Sequence, residues 1–253
     1  MYWQDRWVFR DSIEYEIKYA GNYGAKGESR AKKQKATPEQ IKKQNQLNKE
    51  KRMRRLIKAN FSKGDMWVTL KYKKGERPDI YSVKTDLKKF IDAMRRRYKK
   101  AGCEFKFIYR LEIGKQGGVH IHMIVPRIRG ADLDIQDVWQ QGRVNFESLD
   151  DGDYKELASY ITKPPDESVD KQLSLFPLEV RREFVKYSSS RNLIRPVPER
   201  KEFKKRTVRK ILREGIQPTR GYYIDKSSIV TGINQYTGMS YIHYTERKLI
   251  NDG

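Results

Sequence analysis

Cysteine is almost missing from this sequence: Cys103 is the one thiol in 253 residues. That excludes a disulfide scaffold and fits a reducing compartment. Histidine is scarce too, with three in the chain, so any two that lie close together carry information. There is no glycine repeat of the collagen kind, and no apolar run long enough to span a bilayer. The N-terminus, Met1-Tyr2-Trp3-Gln4-Asp5, lacks the apolar core of a signal peptide. These absences point to a cytoplasmic protein without a membrane partner. The phosphate loop G-x-x-x-x-G-K-[ST] is also absent, so the chain carries no recognisable nucleotide-driven motor.

Charge of one sign is abundant. Lys and Arg number 55 against 33 Asp and Glu, a net +22. Apolar residues make up 37%, below the roughly 45–50% of globular chains, and exchanging the Tyr in that count for Gly barely moves it. A core of ordinary size is still possible. Such a balance, with 11% aromatics, favours a polyanionic partner, because each neutralised phosphate releases condensed counterions. A merely soluble basic protein would share the composition.

Residues 1–60 read as a basic N-terminal extension. Lys26–Lys58 holds 13 Lys or Arg and three acids. Gly21–Gly27 reads as a loop. Thr37-Pro38-Glu39-Gln40 then opens a helix, with a capping hydroxyl, Pro in the first turn and Gln at the capping-box position. Its few apolar residues make it a solvated basic helix, or one that lies along a nucleic-acid backbone.

The pattern changes at Met66. Met66–Tyr72 alternates like a strand. Val83, Leu87, Phe90, Ile91, Met94 and Tyr98 mark one helix face, capped by Ser82 and closed at Gly102. Phe105–Ile113 and Val119–Val125 form a hairpin across Gly114-Lys115-Gln116-Gly117-Gly118. A helix over Asp132–Gln141, a strand over Arg143–Leu149 and a helix over Tyr154–Thr162 follow, stopped by Pro164-Pro165. The order β-α-β-β-α-β-α predicts an α+β fold: a split βαβ, ferredoxin- or RRM-like antiparallel sheet with helices on one face, over residues 61–165. Residues 166–253 read as a C-terminal accessory region, with a basic helix at Lys201–Arg213 and a Tyr-rich hairpin at Tyr222–Tyr244 turning at Gly232-Ile233-Asn234.

His120 and His122 sit two apart on a predicted strand, so both rings project from one face. Such a pair is half of a metal site, and it is also what two half-exposed histidines would give. In the hairpin, antiparallel pairing sets Glu112 opposite His120 and Arg110 opposite His122. A carboxylate on that apolar strand is expensive unless it ligates or pairs. Glu112 therefore either completes a metal site, with Gln116 the substitute under another register, or forms a salt bridge with Arg110 or Lys115. Tyr160 and Lys163 are neighbours on one helix face. A tyrosine beside a cation and a metal is a candidate nucleophile, since both charges favour the phenolate; each residue alone also suits an ordinary amphipathic helix. Thr69, Lys71, Arg110 and Lys115 are the candidate DNA contacts.

Trp67-Val68-Thr69-Leu70, Gly118-Val119-His120-Ile121-His122-Met123-Ile124-Val125 and Tyr160-Ile161-Thr162-Lys163 occur in that order. Together they resemble the three motifs of the HUH endonucleases, in particular the rolling-circle replication initiators of plasmids and of single-stranded DNA phages and viruses. The resemblance covers residues 66–165. It implies a Mg²⁺- or Mn²⁺-dependent nick in single-stranded DNA at a replication origin, where a hairpin would be bound. His120, His122 and Glu112 would hold the metal, Tyr160 would form a 5′-phosphotyrosine and free a 3′-hydroxyl, and Lys163 would support that intermediate. Rejoining would follow from attack by a later 3′-hydroxyl. The setting implied is the cytoplasm of a bacterium, or of the replicon's host cell. Tyr154, six residues before Tyr160, is about 120° away around a helix, so a single-tyrosine enzyme is expected. The tyrosine follows the histidines, unlike the usual relaxase order. Helicase and polymerase would be separate host proteins. The alternatives are a single-strand transposase of the same class and a non-catalytic nucleic-acid-binding module.

Overall fold

A computed structural model describes residues 1–20, 37–114, 116–150, 152–164, 173–174, 177–234 and 238–249. The loop expected at Gly21–Gly27, the basic residues up to Lys35, and Lys115 lie outside the described residues. The fold is mixed α+β, with two five-stranded antiparallel sheets and six helices among the described residues. The chain divides into two compact units, residues 42–195 and residues 1–41 with 196–253.

In the 42–195 unit the elements are most of α1 (Pro38–Asn60), β3 (Met66–Lys71), α2 (Ile80–Lys100), β4 (Ile108–Ile113), β5 (Val119–Val125), α3 (Ala131–Val138), β6 (Val144–Ser148), α4 (Lys155–Thr162), α5 (Leu178–Val185) and β7 (Tyr187–Ser189). The sheet order is β6-β3-β5-β4-β7. The first four strands follow the split βαβ arrangement, and β7 adds a three-residue edge.

Alternation sorts each strand between two layers. Val68, Leu70, Leu111, Ile113, Ile121 and Met123 pack with Val83, Leu87, Phe90 and Met94 of α2 and Ile135 of α3. This is the helix-covered face expected from the sequence. On the other face, Ile108 and Ile124 pack with Met53, Leu56 and Ile57 of α1 and with Ala158 and Ile161 of α4. The C-terminal half of α1 is thus anchored rather than solvated, whereas Ile41 and Leu47 near its start stay exposed. The capping box forms as read: Gln40 N–H donates to Thr37 Oγ1 at 3.2 Å and Thr37 N–H to Gln40 Oε1 at 3.0 Å. Asp79, not Ser82, caps α2, accepting from the amides of Tyr81 and Ser82.

The other unit contains strands inside the stretch read as an extension. Here β1 (Tyr2–Val8), β2 (Ser12–Tyr19), β8 (Glu199–Phe203), β9 (Tyr222–Asn234) and β10 (Met239–Lys248) pair in the order β8-β1-β2-β10-β9. One face packs Ile13, Tyr15, Ile17, Ile242 and Tyr244 with Val208 of α6 (Lys205–Glu214). Asp5 is 1% exposed and takes hydrogen bonds from Arg200 Nε at 2.6 Å and Nη2 at 3.1 Å, with Lys18 Nζ at 2.9 Å. Burial opposes its ionisation, yet these two cations outweigh burial and lower its pKa. The turn expected at Gly232-Ile233-Asn234 lies further on, since β9 runs to Asn234. Gly232 stays in the ladder opposite Tyr241, whose ring lies where a side chain at 232 would be.

Gly142 marks the closest approach of chain to chain in the 42–195 unit. Lys71 N–H donates to Arg143 O at 2.9 Å and Lys73 N–H to Gln141 O at 3.0 Å, clamping residue 142 against the end of β3. A Cβ there would sit 2.5 Å from the Lys71 carbonyl oxygen. Gly142→Ala should therefore lower unfolding stability by about 1–3 kcal/mol, read as a shift in the urea midpoint. An unchanged midpoint would show that the clamp yields at no cost.

Candidate active site

Three elements converge on one end of the sheet. The β4–β5 ladder has the register expected from the hairpin: Glu112 faces His120, and Arg110 faces His122. Strand β3 lies on the other side of β5, with Thr69 opposite His122 and Lys71 opposite His120. Helix α4 buries Ala158 and Ile161 and turns Tyr160 toward the same place.

The Tyr160 hydroxyl donates to Glu112 Oε2 and lies 3.1 Å from His122 Nε2. Glu112 Oε2 and His122 Nε2 are themselves 3.2 Å apart. Lys163, the residue that ends α4, holds its ammonium 4.9 Å from the centre of the Tyr160 ring. Tyrosine, histidine, carboxylate and lysine from separate parts of the sequence thus form one cluster.

The partners around this cluster fix its orientation. Thr69 Oγ1 lies 3.1 Å from His122 Nδ1, so one ring nitrogen is tied to β3 while the other faces Tyr160 and Glu112. The Trp67 indole stacks on the His122 ring at 5.4 Å and 12°, and meets Tyr160 edge-on at 5.7 Å. Arg110 is 2% exposed. Its Nη1 donates to the carbonyls of Tyr160 at 2.8 Å, Ile161 at 3.2 Å and Lys163 at 2.7 Å. Those are carbonyls that the end of a helix leaves without an internal partner. Thr69 and Arg110, expected at the DNA surface, are therefore buried supports of the site. Lys71 is half-buried beside His120, and Gln116 is exposed in the hairpin loop.

The electrostatics follow from these contacts. The hydrogen bond with His122 is the largest influence on Glu112. Helped by Tyr160 and Lys163, it outweighs burial and brings the carboxyl down to about 2. His120 is pushed below its ordinary value, first by burial and then by the charges of Lys71 and His122.

The donor set has one hard carboxylate and two imidazoles. A separation of 3.2 Å between Glu112 Oε2 and His122 Nε2 is what two ligands on bonds of about 2.1 Å give. His120 does not close the set in this arrangement. Its ring centre is 6.1 Å from that of His122, and its Cε1 lies 3.2 Å from where a Cβ on Gly114 would be. Among the described residues, no three His, Cys, Asp or Glu side chains are gathered as a metal-holding group.

Sequence reasoning left two of these roles unassigned. Trp67 was part of a motif without a task, and Arg110 was given an exposed one. A signal for Trp67 existed, since it shares strand parity with Thr69, but pairing β3 with β5 needs the tertiary fold.

Among the described residues, no helix is long and apolar enough to cross a membrane. No curated protein and no solved structure matches the chain. Residues 65–165, the segment that holds β3 to α4 and every residue of the cluster, match the model of the family described as replication-associated protein, ORF2/gene II protein. The match supports a role in DNA replication for this chain, that of an initiator which binds DNA at an origin.

Proposed function

We propose that the protein nicks and rejoins single-stranded DNA at a replication origin, using Tyr160 as nucleophile. One observation carries this reading: the Tyr160 hydroxyl, brought by α4, meets Glu112 of β4 and His122 of β5. A phenol held against an ionised carboxylate and an imidazole has somewhere to send its proton and lies where a phosphate can be approached.

The tyrosyl oxygen attacks the scissile phosphorus, the P–O3′ bond breaks, and a 5′-phosphotyrosine and a free 3′-hydroxyl result. Attack by a 3′-hydroxyl on that phosphotyrosine reverses the step and joins strands. Glu112 and His122, with His120 from the same face of β5, would hold Mg²⁺ or Mn²⁺. Such an ion, when bound, draws charge from the phosphate oxygens. With its Nδ1 proton given to Thr69 Oγ1, His122 keeps the Nε2 lone pair facing the site. Lys163 offsets the negative charge of the attacking oxygen. The Lys and Arg excess would hold the strand, and an origin hairpin would present it. Unwinding and synthesis belong to a separate helicase and polymerase, in keeping with the missing phosphate loop. The setting proposed is the cytoplasm of a bacterium or of the replicon's host.

Incubation with single-stranded origin DNA and Mn²⁺ should yield a covalent adduct on a denaturing gel. Tyr160→Phe should abolish the adduct while the fold survives, and Lys163→Ala should slow its formation by about 10²-fold. His122→Ala should end cleavage and leave DNA affinity largely intact, because affinity rests mainly on Lys and Arg. An adduct mapped to Tyr154 would overturn the choice of nucleophile, and no adduct with any metal would favour a binding module.

Acid stability gives an independent test. The folded carboxyl of Glu112 titrates near 2, below its usual value of 4.5. Its contribution is thus complete above that usual value and drains away as pH falls toward the folded one. In metal-free protein, Glu112→Gln should flatten the loss of stability across this window, followed by urea midpoints. Equal slopes for variant and parent would refute the electrostatic reading.

A further inference from the structure

Strand β4 has a second face. Glu112 and Arg110 point to the candidate active site, so Tyr109, one residue away, points to the other side of the sheet. Tyr109 continues a row of rings: Phe105 to Phe107 is 5.6 Å between centres, and Phe107 to Tyr109 is 5.9 Å. This row floors an open groove of about 650 Å³, bounded by α2 on one side and by the segment 188–192, which begins in β7, on the other.

The rim is cationic. Lys84, Lys88, Arg95 and Arg191 line it, against the single carboxylate of Asp92. Arg95 pairs with Asp92 at 3.3 Å, and its guanidinium also lies 5.9 Å from the centre of the Phe107 ring. Lys84 pairs with Glu183 at 3.1 Å. Lys88 and Arg191 are exposed and have no ion-pair partner among the described residues. An apolar floor with unpaired cations above it suits a ligand that is flat and uncharged in one part and anionic in another, as nucleotides are. The volume is within the roughly 300–1,000 Å³ of small-ligand sites, yet the groove is open rather than enclosed, which suits a segment of chain.

We propose that this groove is a second binding site for single-stranded DNA, holding a part of the strand away from the scissile phosphate. The proposal rests on the reading of the chain as a single-strand DNA enzyme and extends it to a surface without a role in the chemistry. Tyr109 is three residues from Glu112, hence about 10 Å along the strand, and the sheet lies between the two sites. The groove therefore engages only DNA that extends beyond the nicked step. Long substrates gain affinity from it, and short ones do not.

The test uses the full chain carrying Tyr160→Phe, so that binding is read without cleavage. Combined Lys88→Ala and Arg191→Ala should lower the slope of log affinity against log salt for a long oligonucleotide by about 1.4, at 0.7 per lost contact on a single strand. The slope for a short oligonucleotide covering the nick should not move. With bromodeoxyuridine placed along the long strand, ultraviolet cross-links should map to the peptide containing Phe105, Phe107 and Tyr109. In the Tyr160-intact background, the same double variant should nick the short oligonucleotide at the parent rate. An unchanged salt slope on the long strand, with cross-links only elsewhere, would overturn the groove assignment and leave the Tyr160 reading standing. A change confined to sedimentation, with DNA binding unaltered, would overturn it in favour of a second copy of this chain. Loss of nicking in the intact enzyme under every metal, with the cross-links retained, would sink the Tyr160 reading and not the groove.

Discussion

Arg110 leaves β4 beneath the end of α4 and donates from one nitrogen to the carbonyls of Tyr160, Ile161 and Lys163. The rest of the site depends on that set of bonds. The last turn of a helix presents unpaired carbonyls and the negative end of its dipole, and a buried guanidinium answers both. Because Arg110 faces His122 across the β4–β5 ladder, the strand pair that sets the histidine also anchors the helix bearing the tyrosine. Glu112, two residues further along β4, follows the same rule of alternation. A single ladder thus fixes the distances among carboxylate, imidazole and phenol.

Much of this was legible before any coordinates. Loop length and strand parity alone put Glu112 opposite His120, because an antiparallel hairpin leaves little freedom once its turn is placed. The periodicity of Val83–Tyr98 likewise gave α2. The role of Arg110 was not legible, since an arginine on a strand looks the same whether its partners are phosphates or carbonyls. The strand β2 was missed for another reason. Ser12-Ile13-Glu14-Tyr15-Glu16-Ile17-Lys18-Tyr19 alternates cleanly, but the dense positive charge that follows drew the whole stretch into one reading. The pairing partners of β2 are β1 and β10, and no local pattern announces a partner more than two hundred residues away.

Alternation also explains how so short a strand as β4 serves two surfaces. Its even-numbered residues carry the buried cation and the carboxylate. Tyr109 continues the aromatic row and Leu111 enters the core. A substitution at one position is thus expected to disturb one face and spare the other, provided the backbone pairing survives.

The placing of β10 beside β2 has a bearing on synthesis. Residues 42–195 can fold as soon as they have emerged from the ribosome, because the strands of their sheet lie within that interval. The β1–β2 hairpin is made earlier, yet its neighbours β8 and β10 begin at Glu199 and Met239. A two-stranded ribbon is marginal in water, so the first residues translated must wait almost to the last for the sheet that holds them. The first-made end of the chain is the last to settle, and its open strand edges are the part of a nascent molecule most in need of a chaperone.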